Sequence, residues 1–202
     1  RGCVEIMAIL LGAFADINQP SNNEWGETSL IIAVKSNHPK MVEYLITRGA
    51  SVHQCNKKGW YPINVAAQEG CIEIMDILLG AYADANQLQN NEQADTPLIT
   101  AVRNNNPEMV AYLISRGANV HQCNKERVYP IDIAIQQRYV EIIDHFLIAF
   151  GVNVTLCKKE GLNPIDIAIQ QRTLDMFLAG KLVYEDDESG EQTSLKGSNE
   201  KF

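Results

Sequence analysis

The sequence predicts an all-α solenoid of stacked helix-turn-helix units joined by hairpin-like loops, and three recurrences predict it. Residues 2–19, GCVEIMAILLGAFADINQ, return at 70–87 as GCIEIMDILLGAYADANQ. Residues 42–63 return at 110–131, again at an offset of 68, and YPIDIAIQQR at 129–138 returns as NPIDIAIQQR at 163–172, an offset of 34. A unit of 33–35 residues therefore repeats, and pairs of units were duplicated together. Such a unit cannot bury its apolar face alone, so neighbours must stack into one continuous core.

Each element of the unit has its own residues. The first helix opens at Thr28-Ser29-Leu30, Tyr61-Pro62-Ile63, Thr96-Pro97-Leu98, Tyr129-Pro130-Ile131 and Asn163-Pro164-Ile165. Threonine caps a helix by accepting a bond from a free backbone N–H, and proline suits the first turn, where no N–H is needed. Alanine follows where two helices must approach closely, at Ala33, Ala66, Ala101, Ala134 and Ala168. The second helix carries apolar residues at helical spacing, as at Met41, Tyr44 and Leu45 or Met109 and Leu113. Glycine closes it at Gly49, Gly117 and Gly151, where a left-handed residue without a Cβ is favoured. Two units carry Phe14 and Tyr82 instead, so their helices are expected to end differently, at Gly12 and Gly80. The loops after Asn18 and Asn86 are two residues longer than those after His53 and His121.

Composition bounds the function. Of 202 residues, 46% are hydrophobic and 21% charged, a globular balance. No apolar run approaches the roughly 20 residues a membrane span needs. A net charge of −8 argues against nucleic acid, which requires a basic face. Residues 185–202 hold six acids against two lysines, a balance of −4 and half the total. The expected organisation is an array over 1–184 and an acidic, disordered tail over 185–202. Five cysteines without paired short spacings argue for reduced thiols and a cytoplasmic setting. The chain starts at Arg1, inside a repeat, and is expected to be a fragment.

The units resemble the ankyrin repeat, whose signature includes T-P-L-H-x-A; Thr96-Pro97-Leu98-Ile99-Thr100-Ala101 comes nearest to it. The resemblance covers about residues 2–183: a partial first repeat, four full repeats and a shortened last one. It implies a monomeric array that binds another protein, is not an enzyme and uses no cofactor. An alternative is a targeting or regulatory arm of a larger protein whose catalytic domain lies outside this chain. A purely structural spacer is a third. Abundant isoleucine, asparagine, lysine and glutamine fit an AT-rich genome, and the resemblance then admits a secreted effector in host-cell cytoplasm. The signature histidine is replaced by Ile31, Asn64, Ile99, Asp132 and Asp166, so the loop-tying bond it implies must be replaced or absent.

In the family the loop fingertips and the exposed face of the first helix bind partners. Carried onto this chain, the positions are Trp25, Glu27, Lys35, Lys58, Trp60, Gln68, Asp95, Arg103, Val128 and Gln136. Tryptophan is enriched among interface hot spots, so Trp25 and Trp60 are either anchors or packing against their own hairpins. Fingertip charge alternates from Glu24 and Glu27 to Lys57 and Lys58, then Glu92 and Asp95, then Lys125.

Other constellations lead nowhere. His53 with Cys55 and His121 with Cys123 are two ligands each, roughly 20 Å apart across two repeats, and cannot share one zinc ion. Metal is not expected. Cys3 and Cys71 read as buried small apolar groups. Asp132 and Asp166 read as helix-capping carboxylates rather than a catalytic pair.

Overall fold

The structure is a computed structural model and describes residues 16–151 and 165–171. Among these residues every regular element is a helix. Four units follow in order. They pair α1 (Ser29–Lys35) with α2 (Pro39–Thr47) and α3 (Pro62–Glu69) with α4 (Ile72–Gly80). They then pair α5 (Pro97–Arg103) with α6 (Pro107–Ser115) and α7 (Pro130–Gln137) with α8 (Val140–Ala149). Residues 165–171 are helical, at the place of a fifth first helix. The expectations for Cys3, Gly12, Phe14, Asn163 and the tail lie outside the described residues.

Each first helix packs on its own second helix and on the first helix of the next unit. Leu30, Ile63, Leu98 and Ile131 recur in the core with Leu45, Leu78, Leu113 and Phe146 from the second helices. The alanines sit between the layers, with Ala66, Ala101, Ala134 and Ala168 entirely buried and Ala33 nearly so. Burying a leucine-sized side chain stabilises by about 1.5–3 kcal/mol, and here the gain accrues at every junction.

The caps follow the sequence in most places. Thr28 Oγ1 accepts from the Ile31 N–H at 3.3 Å and Thr96 Oγ1 from the Ile99 N–H at 3.1 Å. Asp132 accepts from the Tyr129 N–H at 3.4 Å, as a capping carboxylate should. Asp166 is exposed on the last helix. Gly49, Gly117 and Gly151 all have positive φ beyond the second helices.

Tyr82 departs from expectation. Helix α4 ends at Gly80 in the same register as α2 ends at Thr47, and Tyr82 takes the left-handed turn at φ +64°. The two closing bonds, Tyr82 N–H to Leu79 O and Ala83 N–H to Leu78 O, repeat those of Gly49 and Ala50. A tyrosine there costs roughly 1–2 kcal/mol. It is held because Ala83 must enter the core and the next loop must meet its neighbour, while the ring stands 88% exposed.

Candidate functional site

One edge of the array is built from the loop tips. An asparagine organises each: Asn23 Oδ1 accepts from the N–H groups of Trp25 and Gly26, and Asn56 Oδ1 from those of Lys58 and Trp60. Asn91 Oδ1 accepts from Ala94, and Asn124 Oδ1 from Glu126 and Val128. The longer loops close between Ser21 and Glu27 and between Gln89 and Asp95; the shorter ones close between Asn56 and Trp60 and between Asn124 and Val128. Backbone bonds then tie tip to tip: Lys57 N–H to Trp25 O at 2.8 Å, Asn90 N–H to Gly59 O at 2.8 Å, and Lys125 N–H to Gln93 O at 3.1 Å. Gly59, at φ +77°, makes the second tie possible, because a Cβ there would lie 2.1 Å from the Asn90 carbonyl oxygen.

A second row of ties runs beneath the tips. Asn18 Oδ1 accepts from the Ser51 N–H at 2.8 Å, and Asn86 Oδ1 from the Asn119 N–H at 2.7 Å. Asn64, at the place of the signature histidine, donates to Gln87 O at 3.1 Å and restores a loop-tying bond there. Ile31 and Ile99 carry no polar group for such a bond.

The candidate residues divide into two groups. Trp25 is 44% exposed, and the ammonium groups of Lys35 and Lys58 lie 5.3 and 5.7 Å from its ring centre. Lys35, Lys58, Gln68, Arg103 and Gln136 are exposed, the last three on successive first helices. Trp60 and Val128 are half-buried and pack on the core, so Trp60 differs from Trp25.

Glu27 and Asp95 correct the expectation of alternating exposed charge. They are only 8% and 4% exposed. Lys35 Nζ pairs with Glu27 at 3.1 Å and Arg103 Nε with Asp95 at 2.8 Å. Asp95 also accepts from Asn124 Nδ2 at 2.7 Å. A buried carboxylate must be paired, so these acids brace loop against helix and leave the cations outermost. Sequence reasoning missed Asn124, whose signal was its recurrence with Asn56 at the offset of 68, and it named Asn64 only as a histidine replacement without assigning it the loop-tying bond.

The remaining reactive groups are structural. Cys71 is half-buried at the start of α4 rather than deep in the core; burial and nearby Glu69 push its thiol up. Burial, then contact with Cys55, raises the Tyr61 hydroxyl. Among the described residues no three His, Cys, Asp or Glu side chains converge on a metal position, and no helix is long and apolar enough to cross a membrane.

Comparison with known proteins adds a family. A family model described as "Ankyrin repeats (3 copies)" matches residues 1–89, 41–124, 73–155 and 98–179. The chain is 34% identical over 129 residues to human transient receptor potential cation channel subfamily A member 1, covering 60% of this chain and 11% of the channel. It is 32% identical over 114 residues to ankyrin repeat and KH domain-containing protein mask-1 of Caenorhabditis elegans, 56% of this chain and 4% of that protein. An L-asparaginase of Dirofilaria immitis is 28% identical over 109 residues, 54% of this chain and 18% of the relative.

Proposed function

The chain belongs to the ankyrin-repeat family, and from that premise we propose that it binds a partner protein through its tied fingertips and the exposed face of its first helices. Arrays of this family generally mediate protein–protein interaction. The observation that carries the finer reading is the registered row of exposed side chains: Trp25 and Lys58 on loop tips that backbone bonds lock together, and Lys35, Gln68, Arg103 and Gln136 on the first helices beside them. A preorganised surface loses little entropy on binding, and an exposed tryptophan supplies a hot-spot side chain.

The experiment is affinity capture with the wild-type chain and with Gln68→Tyr/Gln136→Tyr. Both glutamines are exposed, so the added bulk blocks the face while the melting temperature stays unchanged. Proteins retained by the wild type are expected to be lost with the variant. An identical captured set would sink the reading.

A second reading has its own support. The chain spans 11%, 4% and 18% of the three relatives' lengths. On this reading the array is the targeting or regulatory arm of a larger protein, whose activity resides elsewhere in that protein. Full-length transcript sequencing tests it: an open reading frame closing at both ends of this chain would exclude it.

A further inference from the structure

We propose that the corner formed by Trp25, Lys35 and Lys58 takes an extended acidic segment of the partner protein; this rests on the binding reading above and gives the chemistry of that same site. The corner is made of donors. Lys35 and Lys58 place their ammonium groups 5.3 and 5.7 Å from the Trp25 ring centre, and Lys57 Nζ reaches Asn23 O on the same pair of tips at 3.5 Å. Lys35 gives one of its three protons to Glu27, and the others stay available. Among the described residues Lys58 makes no ion pair, and the Trp25 indole N–H makes no hydrogen bond.

Against these three cations stand Glu27, already paired beneath the surface, and Glu24, exposed on the tip. The corner is therefore net positive on a chain of net charge −8. A carboxylate-bearing ligand meets ammonium groups and an indole N–H together, while its aliphatic stems lie on the ring. A basic ligand would meet only like charge. A nucleic acid would meet three cations and then the acidic remainder, too little for phosphate-driven binding.

The geometry also fixes the corner in place. Trp25 O accepts the Lys57 N–H at 2.8 Å, and Asn23 Oδ1 holds the Trp25 and Gly26 amides, so the indole on one tip and Lys57 and Lys58 on the next are braced together, with Lys35 at the end of α1 beside them. Little ordering remains for the ligand to impose.

The test uses the full chain and fluorescence anisotropy with a short labelled peptide of Glu and Ser, its Gln/Ser counterpart, and an oligothymidylate of equal length. Expected is binding of the Glu/Ser peptide that weakens with salt, and about fivefold weaker binding of the Gln/Ser peptide. Lys58→Glu and Trp25→Ala should each weaken the acidic peptide about fivefold at unchanged melting temperature, since both side chains are exposed. Absence of acidic-peptide binding overturns the proposal. So does equal affinity for the Gln/Ser peptide, indifference to both substitutions, or tighter binding of the oligothymidylate. If these fail while Gln68→Tyr/Gln136→Tyr still abolishes partner capture, the acidic chemistry falls and the binding face stands.

Discussion

Tyr82 holds a conformation that Gly49, Gly117 and Gly151 hold without strain. Its ring contributes little to the core, being 88% exposed. Tyr82→Gly is therefore expected to stabilise the fold by roughly 1 kcal/mol, read as a higher denaturant midpoint at constant slope. An unchanged or lower midpoint would show that the ring does something its exposure hides. The residue was misread from sequence because bulk argues against a left-handed turn locally, whereas the turn is imposed by junctions on either side. Glu27 and Asp95 were misread for a related reason. On loops, acids are ordinarily solvated, yet each has a cation eight residues on, at Lys35 and Arg103, and that pairing recurs at the offset of 68. The recurrence of both partners was the legible sign of a brace.

At the scale of elements, helices, caps and terminal glycines were written plainly in Thr28, Thr96, Pro62, Pro130 and the alanine positions. The fingertip ladder was not, because backbone-to-backbone ties between loops leave almost no trace in side-chain identity. Gly59 is the exception, and it gives a sharp prediction. Gly59→Ala places a methyl group 2.1 Å from the Asn90 carbonyl oxygen and forces a positive φ on alanine. It should cost about 2 kcal/mol or more and release the Asn90 amide to solvent exchange. Retained protection at Asn90 would mean the tips are not locked through this contact.

Across the whole molecule, stability is a sum over units and their junctions, so side chains that cross a junction matter out of proportion to their burial. Tyr112 is one: its hydroxyl donates to Asp76 in the preceding unit at 2.6 Å, and Arg116 joins the same carboxylate at 3.1 Å. Burial first, and then the bond to Asp76, raises the Tyr112 hydroxyl above its ordinary value of 10.0. A raised folded value means the neutral hydroxyl stabilises the fold below about pH 10, and this contribution disappears as pH climbs through the folded value. Wild type should thus exceed Tyr112→Phe in stability at neutral pH, with the gap closing in alkali; a gap constant to pH 11 would contradict it. At the offset of 68 the sequence matches Tyr112 with Tyr44 and Asp76 with Ala8, which has no carboxylate, and the buried Tyr44 hydroxyl has no hydrogen-bond partner among the described residues.

The paired duplication has a consequence for how such a chain can change length. Junctions come in two kinds, one bridged by Asn18 or Asn86 and the other carrying His53 or His121 at the same place in the unit, where the His121 ring lies tilted against Phe150 with centroids 5.3 Å apart. Losing or gaining a single unit would bring mismatched seams together. Exchange of two units at once, by unequal recombination between the copies, restores every seam, so the heritable module is the doublet.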